Sequence, residues 1–243
     1  MKKINLTGQL LVLSVVFLFS SCITNWFGVT GKGSIVTETR QVSSFNSVDL
    51  TGAADVEITK GDSLVVKVSN YENIIQYLYL EVEDNTLIIR NEPETTILFN
   101  SKAKVQITMP DPLYAAYLTG SGNFTINSGF NDLNTLKIIG SGNMNITENG
   151  SYNDLDVRIL GSGDITAKGT VNSLTAKIVG SGNLKLANLV AVNSDCAISG
   201  SGNIYTNATS SLKATISGSG TIEYSGTPTV NTSITGSGSV NHK

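Results

Sequence analysis

The stretch Ile138-Ile139-Gly140-Ser141-Gly142-Asn143-Met144 decides the fold, because close copies of it recur toward the C-terminus. An apolar residue, any residue, Gly-Ser-Gly, a polar residue and an apolar residue follow one another with the first glycine at Gly120, Gly140, Gly161, Gly180, Gly200, Gly218 and Gly236. The spacings are 20, 21, 19, 20, 18 and 18 residues, far too long for a heptad or a strand pair. One supersecondary unit is repeated. A degenerate earlier copy, Leu50-Thr51-Gly52-Ala53-Ala54-Asp55-Val56, keeps the first glycine and both apolar flanks and marks where the repeated architecture begins.

Alignment on the first glycine shows what the unit buries. Two residues before it stand Leu50, Leu118, Ile138, Ile159, Ile178, Ile198, Ile216 and Ile234; four after it stand Val56, Phe124, Met144, Ile165, Leu184, Ile204, Ile222 and Val240. Apolar residues at period 2 mean short strands with one buried face. A unit this short cannot bury its own apolar face, so its neighbours must, and an all-β parallel solenoid follows. The glycines admit two readings: inward positions where a missing side chain lets the backbone bend round a narrow core, or tight corners with positive φ. Either way the motif's polar residues form outer columns: Ser121, Ser141, Ser162, Ser181 and Ser201 beside Asn123, Asn143, Asp164, Asn183 and Asn203. Such columns can bond along the stack, as amide ladders do in cross-β structures, or face a ligand.

Residues 1–22 read as an export leader. Lys2 and Lys3 precede an apolar run, Leu10 to Phe19, too short to cross a bilayer core of about 30 Å as a helix. It ends in Phe19-Ser20-Ser21-Cys22, which resembles a bacterial lipobox and makes Cys22 the expected lipidation site, with the membrane as partner through that anchor. Residues 23–33 read as a tether. The other cysteine, Cys196, shares a column with Leu136, Val157, Ala176 and Ala214 and is expected as a buried small hydrophobe.

From residue 34 to 113 the motif is absent except at Gly52, yet the composition stays that of strands: Ser34 to Thr39, Ser47 to Leu50, Val56 to Thr59, Leu64 to Ser69, Tyr77 to Glu83, Thr86 to Arg90 and Lys104 to Met109. Asp84-Asn85 reads as a hairpin turn and Tyr71 to Gln76 as a helical turn. Residues 34–113 are thus expected as an irregular first part that caps the regular coils of 114–240. With 16 Lys and Arg against 19 Asp and Glu and no basic stripe predicted, nucleic acid is not an expected partner.

Phe45-Asn46-Ser47-Val48-Asp49-Leu50, Asn85-Thr86-Leu87-Ile88-Ile89, Val105-Gln106-Ile107-Thr108-Met109-Pro110 and the serial Gly-Ser-Gly-Asn coils together resemble the auto-transporter adhesin head, or GIN-domain, family, common as exported lipoproteins of the Bacteroidota. The resemblance spans residues 34–240. It implies a right-handed parallel β-helix of pectin-lyase-like architecture without that group's catalytic residues, and a role in adhesion. Surface-exposed lipoproteins of that group often carry acidic residues after the cysteine. None stands here before Glu38, which favours the periplasmic face of the outer membrane over the cell surface.

Enzyme chemistry finds little support. His242, the one histidine, reads as a tail residue, so neither a His triad nor a His metal cage assembles. Carboxylate pairs for glycoside chemistry need separations of about 5–9.5 Å, whereas the polar columns hold only Asp55 and Asp164, several coils apart; Asp154 and Asp156 are neighbours, with Asp154 expected in a turn. Calcium coils need aspartate at a fixed offset and a period near nine; a phosphate loop needs a following Lys-Ser/Thr. Asp62-Ser63-Leu64 resembles an O-glycosylation tripeptide, but a turn before the Leu64 strand explains it better. No cofactor is expected. The reading is a non-enzymatic envelope adhesin or binding module, with glycans or envelope proteins as ligands; the alternatives are a structural envelope protein and, last, a carbohydrate-active enzyme.

Overall fold

A computed structural model describes residues 28–92, 97–99, 101–127 and 129–243. The leader, Cys22 and the first part of the tether lie outside the described residues. The remainder of the tether is tied to the fold: Val29–Thr30 pairs in parallel with Ile97–Phe99, and Asn73 brackets it, accepting from the Lys32 amide at 2.8 Å and donating to the Thr30 carbonyl at 2.9 Å.

The repeat folds as a stack of parallel coils. Thr135–Gly140 lies between Ala115–Gly120 and the latter half of Gly150–Gly161, with Gly120, Gly140 and Gly161 in register. After the Gly-Ser-Gly corner, Asn143–Ile146 lies between Asn123–Ile126 and Asp164–Thr166 on a second face. The register persists through Gly180, Gly200, Gly218 and Gly236. From Gly150 onward a third face appears, in which Tyr152, Val171 and Ala191 align before the chain re-enters the first face.

Both aliphatic columns point inward. Ile138, Ile159, Ile178, Ile198 and Ile216 are each at most 2% exposed, as are Met144, Ile165, Leu184, Ile204 and Ile222. Each contributes about 1.5–3 kcal/mol by leaving water, covered by the neighbouring rungs and by the facing columns of the same core. In the last described coil Ile234 is 43% exposed. Cys196 is fully buried; burial pushes its thiol up to about 11, and Ser194 hydroxyl sits 3.3 Å from both its sulfur and the Thr206 hydroxyl. Tyr152 is 3% exposed, its hydroxyl has no partner among the described residues, and burial pushes it up to about 12.

The two readings of the glycines divide between the two glycines. First-position residues have positive φ, +126° at Gly140, and turn the corner. Second-position residues face the core: a Cβ on Gly142 would stand 2.3 Å from the Gly122 carbonyl oxygen and 2.6 Å from Leu118 Cδ2 of the preceding rung. Ala54 occupies this second position in the degenerate copy and is buried. It is tolerated because that copy lies at the bottom of the regular stack, with no Gly-Ser-Gly corner beneath it.

The N-terminal part departs from chain order. Thr86–Asn91 and Lys104–Met109 pair in parallel with Ser47–Gly52 and Asp55–Lys60 on the side away from Ala115–Gly120, so a later segment underlies an earlier one. The parallel pattern expected from residue 34 then gives way. Leu78–Glu83, Val65–Tyr71 and Ile35–Arg40 are added antiparallel, the first through the hairpin turn at Asp84 and Asn85, which have φ of 48° and 60°. Antiparallel layers stop the stack at this end. The outer strand also carries the Glu38–Arg40 ion pair at 2.9 Å, the kind of charge that blunts an open edge. Two smaller expectations change as well. Asp154 lies within the strand Gly150–Gly161 and not in a turn. His242 ends a paired strand, Ser239–His242, its Nε2 2.9 Å from the Gly226 carbonyl oxygen and its ring edge-on to Tyr224.

Candidate functional site

The polar columns predicted along the Gly-Ser-Gly-Asn corner form as continuous outer ridges. Because the second glycine of each corner faces the core, the serine before it points outward: Ser121, Ser141, Ser162, Ser181 and Ser201 are exposed, and none of their hydroxyls takes a protein partner among the described residues.

The neighbouring column is bonded to itself. Asn123 donates from Nδ2 to Asp55 Oδ1 at 2.7 Å, and Asn143 donates to Asn123 Oδ1 at 3.0 Å. Higher up, Asn183 donates to Asp164 Oδ1 at 2.8 Å and Asn203 to Asn183 Oδ1 at 2.9 Å. All four amides point the same way, toward the preceding rung, and each run begins on an aspartate, which only accepts. No bond joins Asn143 to Asp164, because an ionised carboxylate has no proton to offer the Asn143 oxygen. Burial works against the charge on Asp164, but bonds from Lys185, at 2.6 Å, and Asn183 hold its carboxyl below the ordinary range. Hydrogen bonds from Lys104 and then Asn127 do the same for Glu57 on the same face.

This arrangement does not assemble acid–base chemistry. Asp55 and Asp164 stand three rungs apart, about 14 Å at the parallel spacing, beyond the range for a carboxylate pair. Among the described residues no three His, Cys, Asp or Glu side chains are grouped to hold a metal.

A second polar surface went unread in the sequence. At the corner between the second and third faces an open groove of about 500 Å³ is lined by Asn131, Asn149, Ser151, Thr170 and Asn188 around Gly150 and Gly169. The Ser151 amide donates to Asn131 Oδ1 at 3.2 Å, and Asn172 donates to Asn153 Oδ1 at 3.0 Å just beyond. The available signal was the pair Asn149-Gly150, but it does not recur: Lys168 precedes Gly169, and Leu189 stands in register where the next glycine would. A smaller hollow of about 250 Å³ lies near the capped end, against Phe45, Leu64, Met109 and Pro110.

The family described as "Putative auto-transporter adhesin, head GIN domain" matches residues 44–228. A crystal structure described as a putative lipid binding protein from Parabacteroides distasonis is similar over 88% of this chain and 99% of its own, at 29% identity and a TM-score of 0.75. One described as a putative adhesin from Bacteroides fragilis covers 89% of this chain and all of its own, at 27% identity and a TM-score of 0.78. A third, a putative adhesin from Parabacteroides merdae, shares the fold at 22% identity and a TM-score of 0.73. No curated protein matches.

Proposed function

The chain belongs to the auto-transporter adhesin head GIN-domain family, and from that membership we propose that it is a non-enzymatic adhesin of the cell envelope whose ligands are glycans or other envelope components. The observation that carries this reading is the division of the polar surface. The asparagine column spends its groups on itself, and at the groove Thr170 bonds Ser151 and Asn131 accepts from the Ser151 amide, while the serine ridge and, at the groove, Asn149 and Asn188 leave hydroxyls and amides without a protein partner among the described residues, suited to hydrogen bonds with sugar hydroxyls. The asparagine ladder is then structural. Cys22 carries the lipid anchor, and the protein sits on the periplasmic face of the outer membrane.

The test uses residues 23–243 on a glycan array and in envelope pull-downs. Capture that falls when Asn149, Thr170 and Asn188 are changed to alanine supports the reading; no capture favours the purely structural role, and hydrolysis or β-elimination of a polysaccharide revives the enzyme. Cys22→Ser is expected to move the protein from the membrane fraction to the soluble one, and unchanged partitioning argues for another anchor. A second ligand class, lipid, is suggested by the name of the 29% identical relative and supported by three exposed aliphatic side chains in one column, Ile139, Leu160 and Val179.

A further inference from the structure

We propose that the outer side of the first face, at the three rungs that carry Ile139, Leu160 and Val179, is a contact surface for an anionic lipid bilayer. The proposal rests on the lipid reading above and gives it a site. The three aliphatics stand directly above one another in register and are 41%, 40% and 55% exposed. Two residues earlier on the same strands, also outward, Lys137, Arg158 and Lys177 form a second column in the same register. The columns have ends: the aliphatic one meets Thr119 below and Ser199 above, and the cationic one meets Tyr117 and Ala197.

The charge is local and runs against that of the molecule. These three rungs hold three cations on this side and one carboxylate, Asp156, which pairs with Arg158, in a chain of formal net charge −3. Solubility alone would not place aliphatics beside them, whereas cations next to exposed aliphatics match a surface with phosphates above and acyl chains below. Long Lys and Arg arms reach phosphates while shorter apolar side chains enter the boundary. The shape selects the occupant. This side of the sheet holds no pocket among the cavities described above, and a single lipid would need a concave apolar site, so the complement is a surface of many lipids. A second copy placed here by a two-fold axis along the strands would oppose like charges, and one along the stack would set cations against aliphatics. In a three-sided coil, a chain lying on its first face turns the opposite corner, with the polar groove, away from the membrane.

The core runs from Phe45 to Ile222, so residues 23–243 contain the whole fold and can be tested by co-sedimentation. The vesicles are phosphatidylglycerol mixed with phosphatidylcholine, compared with phosphatidylcholine alone. Binding is expected only to the anionic vesicles and to weaken at high salt. Lys137→Gln with Lys177→Gln should weaken it about fivefold per lysine, the equivalent of about 1 kcal/mol per cation. Ile139→Ser, Leu160→Ser and Val179→Ser together should weaken it at least tenfold; these positions face outward, and melting curves verify that both variants fold. No binding, equal binding to neutral vesicles, or binding unchanged in either variant overturns the proposal. So does a concentration-dependent dimer that the aliphatic variant abolishes, which would assign the strip to a second copy. Glycan capture is scored separately on the same samples, so its failure touches the adhesin reading and leaves the vesicle result standing.

Discussion

Changing Asn143, Asn183 and Asn203 together to serine tests what the asparagine column does. The substitution removes three inter-rung hydrogen bonds, of 3.0, 2.8 and 2.9 Å. Rungs lie about 4.8 Å apart, and the shorter serine arm leaves its hydroxyl too far from the next rung to replace the amide. A neutral bond nets about 0.5–1.5 kcal/mol; the exposed Asn143 bond belongs at the low end, and the Asn183 bond to the charged Asp164 at the high end. The sum is about 2–3 kcal/mol. For a domain of this size each kcal/mol moves the melting temperature by about 2–4 °C, so the variant should melt about 4–12 °C lower, by calorimetry or circular dichroism, with glycan capture intact. Unchanged melting with lost capture would refute the reasoning and make this column the binding face.

Gly142→Ala should be far more damaging than its size suggests, because the clash is with the Gly122 carbonyl, which the stack holds in place; a loss of about 3 kcal/mol or more, at the top of the range for overpacking, is expected in denaturant titration, and near-wild-type stability would contradict the inward placement of this glycine. Tyr152→Phe removes a buried hydroxyl that has no partner and should leave stability unchanged or raise it by about 1 kcal/mol; a clear loss would mean the hydroxyl is bonded in solution. Asp164 titrates below its ordinary range in the fold, so its contribution is present above the unfolded value of about 3.9 and is lost as pH falls through the lower folded value. Asp164→Asn should therefore flatten the fall in stability below about pH 4, and an unchanged acid slope would show that its bonds to Lys185 and Asn183 do not persist in solution.

What was legible in the sequence is what one rung asks of the next. Ile138, Ile159 and Ile178 repeat because each is the floor of its neighbour, and Gly142, Gly163 and Gly182 repeat because each passes within contact of the backbone below. The same logic accounts for Ala54, the exception that occurs where the corner beneath is missing. The order of the N-terminal rungs was not legible. Pairing of Thr86–Asn91 under Ser47–Gly52 depends on a long-range match between strands of similar composition, and nothing local distinguishes the side above from the side below. Antiparallel addition of Val65–Tyr71 was hidden for the same reason, since alternation reports which face is buried and not which way the partner runs.

The groove at Gly150 and Gly169 escaped for a more instructive reason. Coil lengths vary between 18 and 21 residues, and the stack keeps its register on the first and second faces by taking up the difference elsewhere. Between the coils of Gly200 and Gly218, the register shifts fall between Lys185 and Val190, the corner where the third face begins, and between Ala191 and Asn193, the corner where it ends. The corner where the third face begins varies in length from coil to coil, its bonds, such as Thr170 to Ser151, follow no repeated offset, and Asn149 and Asn188 bond no neighbouring rung among the described residues, which is also what a ligand-contacting surface needs. The asparagine ladder shows the converse: Asn123, Asn143, Asn183 and Asn203 recur at one offset because each bonds the rung beneath, so their regularity argues for architecture. In this solenoid, then, the repeated residues that pack or bond from rung to rung hold the coils together, and the surfaces that meet other molecules are to be sought where such bonding is absent, at the serine ridge, at Asn149 and Asn188 of the polar groove or at the three rungs where aliphatics interrupt a polar column.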